Sequence, residues 1–268
     1  MDLLKNALEV LKETSRTFYI PISALPEGLI EAVTSAYLCM RAIDEVEDHP
    51  SLEKTNKVQI LSKISCNLQA LRVGGLNNKL SQDLEEYSEV LPEVTLRIGE
   101  WALLASETIS PRIWESTATM ADRMAYWSKR DWQINNEADL DQYIFSVAGA
   151  VGILLSDLWS WYDGTSTNRT HAIGFGAGLQ AVNIIRNYKE DLDRGVSFVP
   201  PNWNREDMNQ YARRNLKLAD QYIGSLSSGP VLNFCKIPLL LAYATLDAID
   251  AGKEKLSRED VQNLIKQT

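Results

Sequence analysis

The sequence predicts an all-α protein. Apolar residues recur at helical spacing along nearly the whole chain, no convincing run of alternating apolar and polar residues appears, and Pro, Gly, Asn or Asp stands near most breaks between periodic segments. The chain contains no fixed-period repeat and no Pro- or Ser-rich linker. We therefore predict one domain over residues 1–268, a helical bundle that encloses a central apolar cavity.

The first predicted helix is amphipathic. In "MDLLKNALEVLKETS", Leu4, Ala7, Leu8 and Leu11 follow helical spacing with charged residues between them, which is typical of a surface helix and not of a signal peptide. A second apolar stripe runs through residues 29–48. The same periodicity predicts further helices over residues 51–72, 97–109, 111–135, 138–162, 169–194, 204–226 and 230–251.

The most apolar stretch covers residues 231–246. Asn233, Lys236 and Pro238 interrupt it, and it is shorter than the roughly 18 to 20 apolar residues that a membrane-spanning helix needs. The chain then continues to a polar end, "SREDVQNLIKQT". We therefore expect a core helix here and no transmembrane anchor.

Composition excludes several classes of function. The net charge of −9 and the lack of a Lys/Arg block argue against a nucleic-acid partner. Cys39, Cys66 and Cys235 are odd in number and scattered, which is typical of a reducing compartment and predicts a cytoplasmic location. Because His49 and His171 are the only histidines, a histidine-based metal site is nearly excluded.

The stretch "AYLCMRAIDEVEDH" contains a first acidic box, residues 44–48. On a helix, Tyr37, Arg41, Asp44 and Asp48 fall on one face. Like charges one turn apart destabilise a helix by roughly 0.2 to 0.5 kcal/mol per pair, so a compensating cation is expected. A lone acidic pattern is more often a solvated surface, but the neighbouring apolar stripe and Arg41 favour an Mg²⁺ site shared with substrate phosphate.

A second polar face lies in "GLQAVNIIRNYKEDLDRG" and includes a second acidic box, residues 187–191. Gln180, Asn183, Asn187 and Asp191 repeat nearly the spacing of the first face. We predict that the two helices face each other across a cavity and hold metal ions and a diphosphate. Apolar walls around such a site indicate a prenyl diphosphate, whose ionisation needs metal and whose carbocation needs dry aromatic surroundings.

The chain resembles the squalene and phytoene synthases, the head-to-head members of the trans-isoprenyl diphosphate synthase class. Each matching block is weak alone, but five in the family's order, running nearly end to end, are highly specific. The third and fifth blocks resemble the squalene-forming branch in particular. The blocks are "SRTF", "AYLCMRAIDEVED", "YIFSVAGAVGILLSDLW", "GLQAVNIIRNYKED" and "VLNFCKIPLLLAYATL".

The resemblance implies an isoprenoid synthase-type helical bundle and a role for each matching residue. The implied catalytic residues are Tyr37, Arg41, Asp44, Asp48, Asn187 and Asp191. The implied metal ligands are Asp44, Glu47, Asp48, Asn187, Glu190 and Asp191. The implied substrate-binding residues are Ser15, Arg16, Phe18, Tyr143, Val147, Gly149, Gln180, Asn183, Arg186 and Phe234.

Two positions depart from the family's pattern. Asn187 stands where the family usually has aspartate, and Val196 stands where it commonly has arginine. Arg194, two residues before Val196, is a candidate substitute. The segment "GFGAG", at residues 174–178, lacks the spacing and the preceding strand of a nucleotide loop, so we interpret it as close helix packing.

We predict a Mg²⁺-dependent prenyltransferase that condenses two farnesyl diphosphates head to head to presqualene diphosphate. Mn²⁺ is an alternative ion, and NADPH is a cofactor if the reaction proceeds to squalene. A peripheral membrane contact for product release and a monomer or homodimer are expected. Two alternatives stay open: a single-substrate terpene cyclase or prenyl diphosphate phosphatase on the same scaffold, and a catalytically dead module that binds lipid or protein.

Overall fold

A computed structural model describes residues 2–74, 79–253 and 255–266, without the side chains of Arg16, Arg258 and Lys266. The ordered elements in these ranges are helices, and no strand occurs among them, so the all-α prediction is confirmed. The chain forms two compact units, residues 1–130 with 160–163, and residues 131–159 with 164–268. A single domain with a central apolar cavity stays a prediction.

The first unit is organised around one buried helix, α3. It packs against α1, α4, α6, α7 and α8, and Leu38 and Ile43 on it are fully buried. Polar groups in this core find backbone partners: Ser35 Oγ donates to the Trp101 carbonyl at 2.7 Å, and Thr95 Oγ1 to the Ala42 carbonyl at 2.9 Å. The helices are α1 (Leu3–Thr14), α2 (Arg16–Ser23), α3 (Leu29–Glu47), α4 (Lys54–Ala70), α5 (Lys79–Leu84), α6 (Glu93–Leu96), α7 (Ile98–Trp101) and α8 (Ser110–Lys129).

The second unit is organised around the 25-residue helix α11, which packs along α12 and also contacts α13. A π-helical turn, Phe145–Gly149, separates α9 from α10. The helices are α9 (Glu137–Ile144), α10 (Ala150–Asp163, whose last four residues belong to the first unit), α11 (Arg169–Asp193), α12 (Arg205–Gly224), α13 (Pro230–Asp250) and α14 (Arg258–Lys266).

The glycines of "GFGAG" allow this close packing on two sides of α11. A Cβ atom at Gly174 would lie 2.3 Å from Cβ of Leu218 on α12. A Cβ atom at Gly176 would lie 2.1 Å from the carbonyl oxygen of Ala148 in the π-helical turn. Such distances leave no room for a side chain, so the interpretation of this segment as close helix packing is confirmed.

Two predicted helices differ from the structure. The helix expected over residues 97–109 ends at Trp101, and turns follow it, with local hydrogen bonds between Ser106 and Thr108 further along. The helix expected over residues 111–135 ends at Lys129, since Asp131 and Trp132 adopt φ angles of 52° and 49°.

Two helical segments are long and apolar enough to cross a membrane, Glu137–Asp163 and Pro230–Asp250. The expectation that the second is too short was therefore wrong, because its helix extends beyond the apolar stretch at both ends. The most apolar windows of the two segments are 44% and 50% buried, and core helices pass the same test of length and composition. The absence of a transmembrane anchor stays a prediction.

Candidate functional site

The junction between α1 and α2 holds the residues of the first family block. Ser15 Oγ accepts a hydrogen bond from the Phe18 amide at 3.2 Å, which caps α2, and Ser15 also hydrogen-bonds the Tyr37 side chain. The rings of Phe18 and Tyr37 lie 5.7 Å apart. The structure thus brings Ser15 and Phe18 to the polar face of α3, whereas the side chain of Arg16 lies outside its described part.

Tyr37 is half-buried between this junction and the first acidic box. Burial raises the pKa of its phenol, and the hydrogen bond with Ser15 and the charge of Arg41 oppose that rise only in part. The phenol is therefore protonated at neutral pH, and it donates a hydrogen bond more readily than it removes a proton.

The first acidic box lies at the C-terminal end of α3. Carboxylate oxygens of Asp44, Glu47 and Asp48 lie within 4.8 Å of one another. Arg41 Nη1 pairs with Asp44 at 2.9 Å, and Arg41 also pairs with Glu45. A helix C-terminus carries partial negative charge and the last turn of α3 contains no basic residue, so this position favours a bound cation.

Two residues beyond α3 fix its C-terminal end. Lys57 Nζ, from α4, donates to the Glu47 carbonyl at 2.6 Å. His49 Nδ1 accepts from the amides of Ser51 and Leu52, so His49 Nε2 carries the proton and donates to the Val90 carbonyl at 3.2 Å. Sequence reasoning considered His49 only as a metal ligand, and no signal in the sequence indicated this bracing role.

In the second acidic box, on α11, two of the polar side chains bind arginines that are close to them in the sequence. Arg194 Nη2 pairs with Asp191 Oδ1 at 2.6 Å, and Asp191 is buried. Arg186 Nε donates to Asn187 Oδ1 at 3.0 Å, while Glu190 is exposed. One turn earlier, Asn183 Nδ2 lies 3.5 Å from Gln180 Oε1. Among the described residues, the only group of three close carboxylates is the one in the first box. The second metal set, Asn187, Glu190 and Asp191, contains two carboxylates and one amide, and it stays a prediction.

The remaining predicted substrate residues pack within the second unit. Tyr143 is buried and stacks on Phe198 with ring centroids 4.5 Å apart, and Phe234 is buried with its ring 5.4 Å from that of Trp159. Val147 and Gly149 belong to the π-helical turn. These contacts connect the third and fifth family blocks to the core of the unit.

A cavity of about 810 Å³ adjoins the second box within the same unit, between the C-terminal ends of α11 and α13 and the start of α12. Its apolar lining includes Trp203 and Met208. Basic residues outnumber the two acidic ones in the lining: Arg186, Lys189, Arg205, Lys253 and Lys255, against Glu190 and Asp193. Sequence reasoning missed this basic cavity because its cations come from separate segments and form no block.

The chain is similar in sequence to curated squalene synthases. The squalene synthase of Schizosaccharomyces pombe is 32% identical over 277 residues, covering 92% of this chain and 59% of the relative, and that of Homo sapiens is 30% identical over 275 residues, covering 91% and 63%. The chain thus spans about three-fifths of the length of these curated relatives.

The fold matches a complex structure of TcSQS with the ligand E5700, with a TM-score of 0.81 at 24% identity over 99% of this chain and 85% of that one. The model of the squalene/phytoene synthase family matches residues 11–210, which is most of the sequence and includes both acidic boxes. The chain belongs to the squalene/phytoene synthase family.

Proposed function

We propose that the chain is a metal-dependent enzyme that condenses two farnesyl diphosphates head to head to presqualene diphosphate. The observation that carries the proposal is the first acidic box, where three carboxylates lie within 4.8 Å at the end of a helix that also presents Tyr37 and Arg41. A family member that retains this constellation has the groups needed to release a diphosphate.

The donor set of the first box fits a hard divalent cation. Asp44, Glu47 and Asp48 offer only oxygen ligands, which such a cation prefers, and their carboxylate oxygens lie within 4.8 Å of one another. These three residues would hold Mg²⁺, with Mn²⁺ as an alternative. The chemistry supplied there is neutralisation of the leaving diphosphate.

The chain's own residues then act on the diphosphate and on the carbocation. The Arg41 guanidinium, held by Asp44 and Glu45, would use its remaining N–H donors to bind a phosphate oxygen, and the protonated phenol of Tyr37 would donate to another. The first farnesyl group loses its diphosphate, the double bond of the second attacks the allylic cation, and a proton leaves as the cyclopropane closes. Released diphosphate is the base we favour, because burial keeps Tyr37 protonated.

Product identification tests this proposal. Incubation with farnesyl diphosphate and Mg²⁺ is expected to give presqualene diphosphate without NADPH and squalene with it. A parallel incubation with geranylgeranyl diphosphate tests which substrate chain length the enzyme accepts. Mass spectrometry of the extracted products checks the result. Only farnesol or cyclic C15 products, with or without NADPH, would contradict the proposal and favour a single-substrate enzyme, whereas complete inactivity would favour a binding module.

We further propose that NADPH reduces presqualene diphosphate, transferring hydride as the second diphosphate leaves. The basic cavity supports this step, since its cations suit a phosphate-rich dinucleotide and Trp203 offers an aromatic face. The double variant Lys253→Gln/Lys255→Gln is expected to raise KM for NADPH by about tenfold, which corresponds to loss of about 1.4 kcal/mol.

The NADPH-independent formation of presqualene diphosphate serves as an internal control for that double variant. Lys217→Gln, on α12 and outside the cavity lining, is the matched control and is expected to change neither step. An unchanged KM for NADPH in the double variant would show that this cavity does not bind NADPH.

The proposal extends to location. A cytoplasmic enzyme with a peripheral membrane contact suits an apolar hydrocarbon product, which partitions from water into lipid.

A further inference from the structure

The two acidic boxes differ in their charge balance. The first contains four carboxylates against two nearby cations, the Arg41 guanidinium and the Lys57 ammonium; the carboxylates are those of Asp44, Glu45, Glu47 and Asp48. The second contains two carboxylates and two nearby guanidiniums: Glu190, Asp191, Arg186 and Arg194. The first box therefore has an excess of negative charge that a divalent cation would offset, and the second has none.

Two oxygen atoms of the second box accept hydrogen bonds from arginines. Asn187 contributes only a neutral carbonyl oxygen, and that oxygen accepts from Arg186 Nε at 3.0 Å. Asp191 Oδ1 accepts from Arg194 Nη2 at 2.6 Å. A divalent ion at this box would have to displace both arginines and would then find one exposed carboxylate, one buried carboxylate and one amide.

We infer that the second acidic box of this chain holds no divalent cation of its own, and that the Arg194 guanidinium is the counter-ion of the buried Asp191 carboxylate. The inference rests on the proposed function in one respect, that the first box binds the catalytic metal. A buried carboxylate without a positive partner is strongly destabilising, so Arg194 supplies at this box the charge that a metal ion would otherwise supply.

The position of Arg194 explains how this pairing arises. Arg194 caps the C-terminal end of α11, one helical turn after Asp191, and the Val196 amide donates to the Asp191 carbonyl at 3.0 Å. The chain thus turns back on the last turn of the helix with Arg194 directed at the carboxylate. Arg194 is a positioning residue for Asp191, and Val196 contributes its backbone amide.

Binding of Mn²⁺ in the presence of inorganic pyrophosphate, measured by electron paramagnetic resonance on the full chain, tests the inference without turnover. Asp48→Asn is expected to weaken Mn²⁺ binding by about 10- to 100-fold. Asp191→Asn is expected to leave the affinity for Mn²⁺ within about twofold of the wild-type value. The matched control Asp193→Asn, on the same helix, is expected to do the same. Equal weakening by Asp191→Asn and Asp48→Asn would overturn the inference.

A gain of binding is expected from the double variant Asn187→Asp/Arg194→Gln, which places a third carboxylate in the box and removes the guanidinium. It should bind roughly one more Mn²⁺ ion per chain than wild type. If Arg194→Gln alone fails to fold, Arg194→Lys is measured as well. Because lysine keeps the positive charge, this variant should retain the wild-type Mn²⁺ stoichiometry and thermal stability. No additional ion in a folded double variant would show that Arg194 is not what excludes the metal. These readouts use no prenyl substrate, so they are independent of whether a C30 product forms.

Discussion

Asp48→Asn is expected to lower kcat/KM for farnesyl diphosphate by about 10²- to 10³-fold and to raise the Mg²⁺ concentration that gives half-maximal activity. The carboxylate shares a 4.8 Å cluster with Asp44 and Glu47, and loss of metal-assisted diphosphate departure removes several kcal/mol of transition-state stabilisation. Steady-state assays over a Mg²⁺ titration measure both effects.

Stability measurements separate this loss of activity from misfolding. Replacing one of several like charges at the end of α3 relieves repulsion of a few tenths of a kcal/mol per pair, so the variant should stay folded with a melting temperature within a few degrees of wild type. Asp122→Asn, an exposed carboxylate on α8, is the matched control and should keep full activity. An Asp48→Asn enzyme with the wild-type Mg²⁺ requirement would exclude the first box from the metal site.

Gly176→Ala is expected to lower the melting temperature by about 4 to 8 °C, the equivalent of roughly 2 kcal/mol in a unit of this size. The added methyl group would lie 2.1 Å from the Ala148 carbonyl oxygen, which is backbone and cannot move aside as a flexible side chain does. The π-helical turn must therefore shift away from α11. Thermal unfolding followed by circular dichroism measures the change.

Gly224→Ala provides the control for that substitution. Gly224 lies at the end of α12, and a Cβ atom there would meet nothing within 4 Å. Since alanine favours the helix over glycine by up to about 1 kcal/mol, this variant should be as stable as wild type or slightly more stable. Equal melting temperatures for the two alanine variants would contradict the close packing described for Gly176.

The positions of the long helices were predictable because the residues that they bury recur at helical spacing in the sequence. The sequence periodicity located α3 and α11 within a few residues, and the absence of strand patterns predicted the fold class. The interruption after Trp101 was not predictable, since apolar residues continue at helical spacing beyond it. The π-helical turn was not predictable either, because its residues are mostly apolar or small like those of the helices on both sides.

The site was predictable where it depends on spacing along one helix, and not where it depends on side-chain direction. Offsets along α3 placed Tyr37, Arg41 and Asp44 on one face. The pairing of Arg194 with Asp191 depends instead on how the chain turns after α11, and an arginine in sequence does not reveal whether it faces substrate or a neighbouring carboxylate. The basic cavity likewise requires three separate segments to converge.

The π-helical turn also has a consequence for comparing this chain with its relatives. A π-helical turn contains one residue more than the corresponding α-helical turn, and one residue of an α-helix corresponds to a rotation of about 100°. The faces of α10 are therefore offset by about this angle from those that a continuous α-helix from α9 would present. Tyr143 and Gly152 therefore cannot be assigned to faces by a single helical wheel. Removing one residue between them would rotate α10 by about 100° and change which of its side chains face the core, so alignment gaps within this turn carry geometric information that substitutions do not.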